Sequence, residues 1–294
     1  MTKEEFSRLA ARGPVILDGA TGTNLRAAGM PVGVSAEKWI LNNPEALLGL
    51  QRAYVEAGTM ILCAPTFSAN RLSLKNFGLE GEVKALNQAL VALSKEAAGG
   101  KALVAGDLST LGRPLEPAGD LPYGEAYGVY REQMEALSEA GVDLLAVETL
   151  MGAEEAVAAL DAAADLELPV WCSFSVEADG SLLFGGNVWE ASAMLQELGA
   201  AAVGVNCSVG PDQLESVIRS IRAAVDIPVI AKPNAGLPVM DEKGQAHYSM
   251  GPEEFARHMR VLAAAGAGLV GGCCGATPEY IRHMAAALGR PLSE

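Results

Sequence analysis

The sequence predicts an α/β protein, a (β/α)8 TIM barrel, and three observations support this. The chain has 294 residues, which suits a fold that typically needs about 250. Half of the residues are hydrophobic but only 5% are aromatic, as expected where helices pack closely on strands. Eight short runs rich in Val, Ile, Leu and Ala recur, and each is followed by an amphipathic stretch, which is typical of parallel strands joined by helices.

The predicted strands run through the whole chain without interruption. No linker rich in Ser, Pro or charge separates them, so residues 1–294 are expected to form a single barrel domain. The strands are predicted at 15–17, 60–62, 102–104, 144–147, 170–172, 202–205, 229–231 and 269–271.

Helical patterns fill the gaps between these runs. Several begin with proline, as at Pro44, Pro211, Pro252 and Pro278, and the first turn of a helix loses nothing by lacking that N–H. An open doubly wound sheet is the alternative, but no Gly-rich phosphate turn follows the first strand, and eight units favour closure. The helices are predicted at 44–57, 82–98, 124–140, 153–164, 190–198, 211–224, 252–265 and 278–288.

The charge and the hydrophobic pattern argue against two classes of partner. A net charge of −15 provides no attraction to phosphate backbones or anionic lipid, so neither nucleic acid nor a membrane is expected as a partner. The first residues lack the apolar core of a signal peptide, and no stretch reaches the roughly 18 apolar residues of a membrane span. We therefore expect a cytoplasmic protein.

The barrel prediction locates the active site, because barrel enzymes build theirs at the carboxyl ends of the strands. Polar and metal-binding side chains accumulate at those ends rather than at the strand starts. The candidate site residues are Asp18, Gly19, Ala20, Thr21, Thr66, Phe67, Ser68, Asp107, Glu148, Asn206, Cys207, Asn234, Cys273 and Cys274.

Three cysteines at two strand ends indicate a metal site. Cys207 follows the sixth strand, and the adjacent pair Cys273 and Cys274 follows the eighth. Three thiolates at about 2.3 Å would fill three corners of a zinc tetrahedron and leave the fourth open, which is the arrangement of a catalytic zinc site. A zinc site at the C-terminal rim of the strands is therefore predicted.

The remaining cysteines and the three histidines are expected to have roles other than metal ligation. Cys63 and Cys172 are expected to pack as small apolar residues, the commonest fate of an intracellular cysteine. A redox pair is disfavoured because a vicinal disulfide is strained and the chain has no Cys-x-x-Cys. The histidines at 247, 258 and 283 fall away from the strand ends, so solvated or packed positions are expected for them.

Three motifs carry a resemblance to a known family. The stretches LDGATGT at 17–23, GVNC at 204–207 and GGCCG at 271–275 resemble the homocysteine S-methyltransferase family. Within it, KPNAGLP at 232–238 and CGATPEYI at 274–281 are most similar to the homocysteine-binding module of cobalamin-dependent methionine synthase. The resemblance covers nearly the whole chain, and it implies that Cys207, Cys273 and Cys274 hold Zn²⁺.

The resemblance also implies a reaction, the methylation of homocysteine to methionine. A free thiol is mostly protonated at neutral pH, whereas a zinc-bound thiol is deprotonated outright, so the metal would activate homocysteine as a zinc thiolate. The methionine synthase branch takes its methyl group from methylcobalamin. Because 294 residues hold the homocysteine module alone, the cobalamin would be carried by a separate corrinoid protein.

The remaining candidate residues are expected to bind the amino acid. Asp18 and Glu148 would receive its α-ammonium group, a role the resemblance implies. The backbone N–H groups of Gly19, Ala20 and Thr21 would hold its α-carboxylate, because a glycine-bearing turn allows close approach. Pocket-lining positions are expected for Thr66, Phe67, Ser68, Asp107 and Asn206, and the Asn234 side-chain oxygen is a hypothetical replaceable fourth zinc ligand.

Three alternatives stay open at this point. S-methylmethionine or S-adenosylmethionine would serve as donor with the same acceptor and the same zinc chemistry. A thiol other than homocysteine would serve as acceptor. The chain would otherwise be a non-catalytic thiol- or zinc-binding module of a corrinoid methyltransferase system.

Overall fold

The computed structural model describes residues 1–240 and 246–290, and it confirms the predicted (β/α)8 barrel. Eight parallel strands follow one another around the sheet, and β1 closes the ring against β2. At that seam the Met60 N–H donates to the Ile16 carbonyl at 2.7 Å, and Leu17 pairs with Ile61 in parallel. The strands are β1 Val15–Ile16, β2 Ile61–Cys63, β3 Leu103–Ser109, β4 Leu144–Leu150, β5 Val170–Phe174, β6 Ala202–Asn206, β7 Val229–Lys232, the hairpin strands β8 Pro238–Met240 and β9 Ala246–Tyr248, and β10 Ala267–Val270.

Helices are found in all the predicted regions, and the described residues add four short α-helices, a 3-10 helix and the hairpin. The prediction of one helix over 211–224 was wrong, because a 3-10 helix, Pro211–Gln213, ends at the buried Leu214 before the α-helix begins. The helices are α1 Lys3–Ala10, α2 Gly22–Ala27, α3 Ala36–Asn42, α4 Pro44–Glu56, α5 Arg71–Lys75, α6 Val83–Ala98, α7 Tyr123–Glu139, α8 Ala153–Ala163, α9 Val188–Glu197, α10 Glu215–Ala224, α11 Pro252–Ala264 and α12 Pro278–Ala287, with a second 3-10 helix at Glu80–Glu82.

The lower interior of the barrel is filled with apolar side chains. Alternate strand residues point inward, and Ala105, Ala146 and Ile230 pack there around the fully buried Trp171. The first helix, α1, adds Phe6 to the same cluster. The barrel is therefore closed at the end where its strands begin.

The same alternation makes the upper interior polar. Two residues beyond the inward-facing Ala105, Ala146 and Ile230, the strands carry Asp107, Glu148 and Lys232, which are at most 7% exposed. Side chains separated by two residues lie on the same face of a strand. A buried layer of charge therefore forms the floor of the end where barrel enzymes place their active sites.

The sequence predicts that no helix spans a membrane. None of the helices in the two described ranges is both long enough and apolar enough to traverse a bilayer.

Candidate active site

A cavity of about 370 Å³ opens at the carboxyl ends of the barrel strands. Most of the predicted site residues contribute to its wall. Thr66 and Asn234 lie outside the lining, directly behind it. The predicted residues that line the cavity are Asp18, Gly19, Ala20, Thr21, Phe67, Ser68, Asp107, Glu148, Asn206, Cys207, Cys273 and Cys274.

The three cysteines meet at one side of this cavity. The sulfur atoms of Cys207, Cys273 and Cys274 all lie within 4.8 Å of one another, and those of Cys207 and Cys274 are 3.7 Å apart. Two sulfurs bound to one tetrahedral zinc at about 2.3 Å would be about 3.8 Å apart. Hydrogen bonds from the Cys207 and Cys273 thiols lower the pKa of Cys274 to about 3, so the cluster carries negative charge at neutral pH. The spacing and the charge both suit a divalent cation.

The local backbone explains how cysteines from two strands converge. The Gly272 N–H donates to the Asp18 carbonyl at 3.0 Å, and the Cys273 N–H donates to the Pro233 carbonyl at 2.8 Å. A Cβ on Gly272 would lie 2.3 Å from the Ala276 side chain, so only glycine allows this approach. The chain after β10 is thereby wedged between the ends of β1 and β7, next to Cys207.

Cys207 and Thr149 both adopt the left-handed backbone conformation that L-residues rarely use, with φ of 48° and 63°. The Asn206 side chain holds the Thr149 turn. Its oxygen accepts from the Thr149 N–H and from the Ser173 hydroxyl, and its nitrogen donates to the Thr149 hydroxyl, each at 2.8 Å. Asn206 therefore fixes the end of β4, which carries Glu148, to the end of β6, which carries Cys207.

A buried lysine lies among the carboxylates on the cavity floor. The Lys232 ammonium is 2.8 and 3.1 Å from the two Glu148 oxygens, 3.7 Å from an Asp18 oxygen and 3.4 Å from the Cys63 sulfur. Cys63, Asp107 and Glu148 also lie close enough together to hold a metal ion. Because Lys232 already supplies a positive charge there, we assign this second cluster to an internal ion pair.

Two carboxylate oxygens in the cavity have no hydrogen-bond partner among the residues that the structure describes. They are Oδ1 of Asp18 and Oδ1 of Asp107. Burial raises the pKa of Asp18 to about 6, although Lys232 opposes the shift, and burial together with Glu148 raises the pKa of Asp107 well above its usual value. Buried acceptors of this kind are costly unless they are paired. They are therefore suited to a cationic ligand.

The loop after β1 is tightly packed, and some of its backbone N–H and C=O groups are already hydrogen-bonded within the protein. The Ala20 N–H donates to the Ala276 carbonyl at 3.0 Å, and the Tyr54 hydroxyl donates toward the Ala20 and Ala276 carbonyls at 2.9 and 2.8 Å. A Cβ on Gly19 would lie 2.6 Å from the Ala276 oxygen and 2.7 Å from the Tyr54 oxygen. Only a glycine fits at position 19.

Replacing Gly19 with alanine is therefore expected to destabilise the fold by about 1–3 kcal/mol, the usual cost of overpacking. Urea denaturation would measure the change in the free energy of unfolding. Gly22→Ala is the matched control, because nothing lies within 4 Å of its added methyl group and alanine favours the helix that begins there. Equal effects of the two substitutions would contradict the steric argument.

Thr66 and Asn234 occupy supporting positions behind the wall. The Thr66 hydroxyl donates to the Asp107 carbonyl at 2.8 Å and accepts from the Asp107 N–H at 3.0 Å. The Asn234 amide nitrogen donates to the Ser208 carbonyl at 2.5 Å, while its buried oxygen has no partner. Thr66 thus holds β3 in place, and the Asn234 oxygen has acceptor capacity to spare.

Several site residues were not found from the sequence. Lys232 was given no role of its own, although its spacing of two from Ile230 was a signal that it faces inward. Cys63 and Cys172 both pack among buried apolar residues, as expected. Cys63 also contacts the Lys232 ammonium, which the sequence did not indicate. Tyr248, on the unpredicted hairpin, hydrogen-bonds to Cys274. Glu37 is 3% exposed and lines the cavity.

Comparisons with known proteins identify the family of the chain. The sequence profile of homocysteine S-methyltransferase matches residues 15–288. The methionine synthases of Mycobacterium leprae and Mycobacterium tuberculosis are each 32% identical to the chain, over 93% and 92% of its length. The chain spans only 24% of the length of these two relatives.

The solved structures point the same way. The metallated form of the homocysteine methyltransferase MmuM from Escherichia coli superposes with a TM-score of 0.79 at 25% identity, covering 95% of this chain and 98% of that one. The carboxyl transferase domain of Rhizobium etli pyruvate carboxylase, at 13% identity and a TM-score of 0.53, shares the fold alone. The profile match and the two curated relatives establish that the chain belongs to the homocysteine S-methyltransferase family of methyltransferase enzymes.

Proposed function

We propose that residues 1–294 form one homocysteine-binding barrel that methylates the sulfur of homocysteine to give methionine, with zinc held by Cys207, Cys273 and Cys274. The observation that carries the proposal is the cluster of three sulfurs within 4.8 Å of one another, on the wall of a cavity that also contains unpartnered carboxylate oxygens. A metal-activated thiol acceptor needs both features.

The residues present fit a zinc ion. Three thiolates are the soft ligands that zinc accepts, and an open fourth position distinguishes catalytic from structural sites. The unpartnered Asn234 oxygen follows β7 beside the cysteines, and we propose it as a replaceable fourth ligand. When bound, zinc would supply the Lewis acidity that lets the homocysteine thiol lose its proton near neutral pH.

The charged floor supports an amino acid as the acceptor. Asp18, Asp107 and Glu148 outnumber the single ammonium of Lys232, so an additional positive charge is favourable there. An α-ammonium group supplies it. We propose that Asp18 and Asp107 accept its hydrogen bonds while Glu148 stays paired with Lys232.

The loop after β1 is proposed to hold the α-carboxylate. The Ala20 N–H is already used by the Ala276 carbonyl, so the donors to the substrate would be the N–H groups of Gly19 and Thr21. Phe67 and Ser68 form the facing wall. Thr66 and Asn206 act on the substrate only through the backbone that they position.

Methylcobalamin on a partner corrinoid protein is the proposed methyl donor. The loops around the cavity mouth expose large apolar side chains, with Val32, Leu183, Val239 and Leu237 between 54% and 83% exposed. Apolar side chains exposed on loops at the same end of the barrel as the cavity suit contact with another protein. The similarity to methionine synthases, of which this chain spans 24%, also supports a donor carried by another polypeptide segment.

One observation favours the alternative, a small cationic donor such as S-methylmethionine or S-adenosylmethionine. Glu37, buried at the start of α3, lines the outer cavity beside the apolar Leu25, Met30 and Ile40. The Ser35 hydroxyl donates to Glu37 at 2.7 Å, and no salt bridge to Glu37 is found among the described residues. A carboxylate surrounded by apolar side chains would attract a sulfonium group.

If the donor is cationic, Glu37→Gln is expected to raise the KM for it by roughly tenfold, the effect of about 1.4 kcal/mol. The KM for homocysteine is expected to stay unchanged. Steady-state kinetics with S-methylmethionine would measure both values. An unchanged KM for the donor would contradict the role of Glu37.

A donor screen on zinc-loaded protein tests the proposal as a whole. Methylated corrinoid protein, S-methylmethionine and S-adenosylmethionine would each be incubated with homocysteine, and methionine would be quantified after a single turnover. Formation of methionine from any of them excludes a purely binding module. No methionine from any donor, with zinc bound in a 1:1 ratio, would overturn the proposed activity.

The value of kcat/KM for homocysteine is expected to fall as the pH decreases through about 6. Burial raises the pKa of Asp18 to about 6, and protonation would remove the negative charge that receives the α-ammonium group. The control is a pH profile with 4-mercaptobutanoate, which lacks the ammonium group. Its kcat/KM should stay constant through about pH 6 for as long as the metal stays bound. Identical profiles for the two thiols would contradict the role of Asp18.

A further inference from the structure

The acceptor site contains a fixed positive charge that belongs to the protein. The Lys232 ammonium lies 2.8 and 3.1 Å from the two oxygens of Glu148 and is 3% exposed as a residue. A contact of this kind places both carboxylate oxygens within hydrogen-bond distance of one cation. Glu148 is therefore largely neutralised before a substrate arrives.

Asp107 lies beside this pair without sharing in it. One of its carboxylate oxygens is within 4.8 Å of a Glu148 oxygen, yet no salt bridge to Asp107 is found within the described ranges, and Oδ1 has no hydrogen-bond partner. The unpartnered Asp18 oxygen is 3.7 Å from the Lys232 ammonium, beyond hydrogen-bond distance. Two carboxylates thus remain available, and of the two it is Asp107 that forms no salt bridge with Lys232 within the described ranges.

We propose that Lys232 is a specificity-determining positioning residue that, by pairing with Glu148, directs the acceptor's α-ammonium group to Asp107 and the outer oxygen of Asp18. The inference rests on the proposed function in taking an α-amino thiol as the acceptor.

The test compares two thiols that differ only in the ammonium group, L-homocysteine and 4-mercaptobutanoate. Calorimetry on zinc-loaded protein gives their dissociation constants, and the ratio isolates the contribution of the ammonium. The wild-type protein is expected to prefer homocysteine by at least about tenfold, and Asp107→Asn is expected to remove most of that preference, as for a hydrogen bond to a charged group.

A double-mutant cycle then tests the part played by Lys232. In the Lys232→Met background Glu148 is free to receive the ammonium, so Asp107→Asn should lower the preference by less than about threefold. An equal effect of Asp107→Asn in both backgrounds would overturn the positioning role. No effect in the wild-type background would overturn the assignment of Asp107.

Two features keep the experiment decisive. Asp107→Asn is nearly isosteric and removes a buried charge, so its result stands even if Lys232→Met fails to fold. Binding is measured without any methyl donor, so absence of methyl transfer leaves the ratio interpretable. Failure of both thiols to bind would overturn the proposed function together with this inference, whereas equal binding of both would overturn this inference alone.

Discussion

Replacing Cys273 with serine is expected to remove stoichiometric zinc and, with it, methyl transfer to homocysteine. The Cys273 sulfur lies at the cavity wall within 4.8 Å of the two other sulfurs. A serine hydroxyl is a harder and much weaker zinc ligand than a thiolate. We expect metal affinity to fall by more than about 100-fold, since loss of even an indirect contact to a ligand costs 10- to 100-fold.

Metal content after dialysis and single-turnover methionine formation would measure the effect. Cys172→Ala is the matched control, because Cys172 is fully buried on the helix-facing side of β5. That variant should lose about 1 kcal/mol of stability for a small cavity and keep its zinc. A Cys273→Ser protein with one tightly bound zinc and full activity would show that the cysteine cluster is not the metal site.

Asp18→Asn is expected to raise the KM for homocysteine by about 10- to 100-fold, the usual cost of removing a charged hydrogen-bond partner. The effect on kcat should be smaller, because the ammonium group is remote from the reacting sulfur. Asp226→Asn makes the same charge change at an exposed position before β7 and is expected to leave KM unaltered.

Although Asp18→Asn should weaken substrate binding, we expect it to stabilise the fold at neutral and alkaline pH. Because burial raises the pKa of Asp18 from 3.8 to about 6, the folded protein binds this proton more tightly than the unfolded chain does. The cost of the buried charge is absent below about pH 4, grows between about pH 4 and 6 and is complete above that range. The Tm of Asp18→Asn relative to the wild type should therefore be higher at pH 8 than at pH 4. An unchanged KM, or the reverse pH trend in Tm, would contradict this account of Asp18.

The fold was predictable because each strand can be recognised from its own local sequence. Runs such as those around Val203 and Ile230 are short, apolar and bounded by turns, and strands buried on both faces have that composition. The hairpin was not predictable, since Pro238–Met240 and Ala246–Tyr248 show no run of this kind. The break at Leu214 between the 3-10 helix and α10 was also not predictable, because the helical spacing of apolar residues continues across it.

The candidate site was predictable where chemistry restricts the residue type. Adjacent cysteines flanked by glycines have few other uses, whereas Lys232 could be placed only by knowing that it shares an inward face with Ile230. Hydrogen-bond satisfaction could not be inferred at all. Whether the Ala20 N–H is free depends on Ala276, which lies far away in the sequence.

The packing of α1 and Trp171 beneath the charged floor affects the order of events during turnover. Apolar side chains fill the end of the barrel where the strands begin. The acceptor, the donor and both products would therefore use the opening at the opposite end. In the proposed reaction, homocysteine would use the deepest binding groups, so we expect it to bind before the methyl donor and methionine to leave after the spent donor. A cavity with its opening at this end therefore favours ordered binding, with the acceptor before the donor.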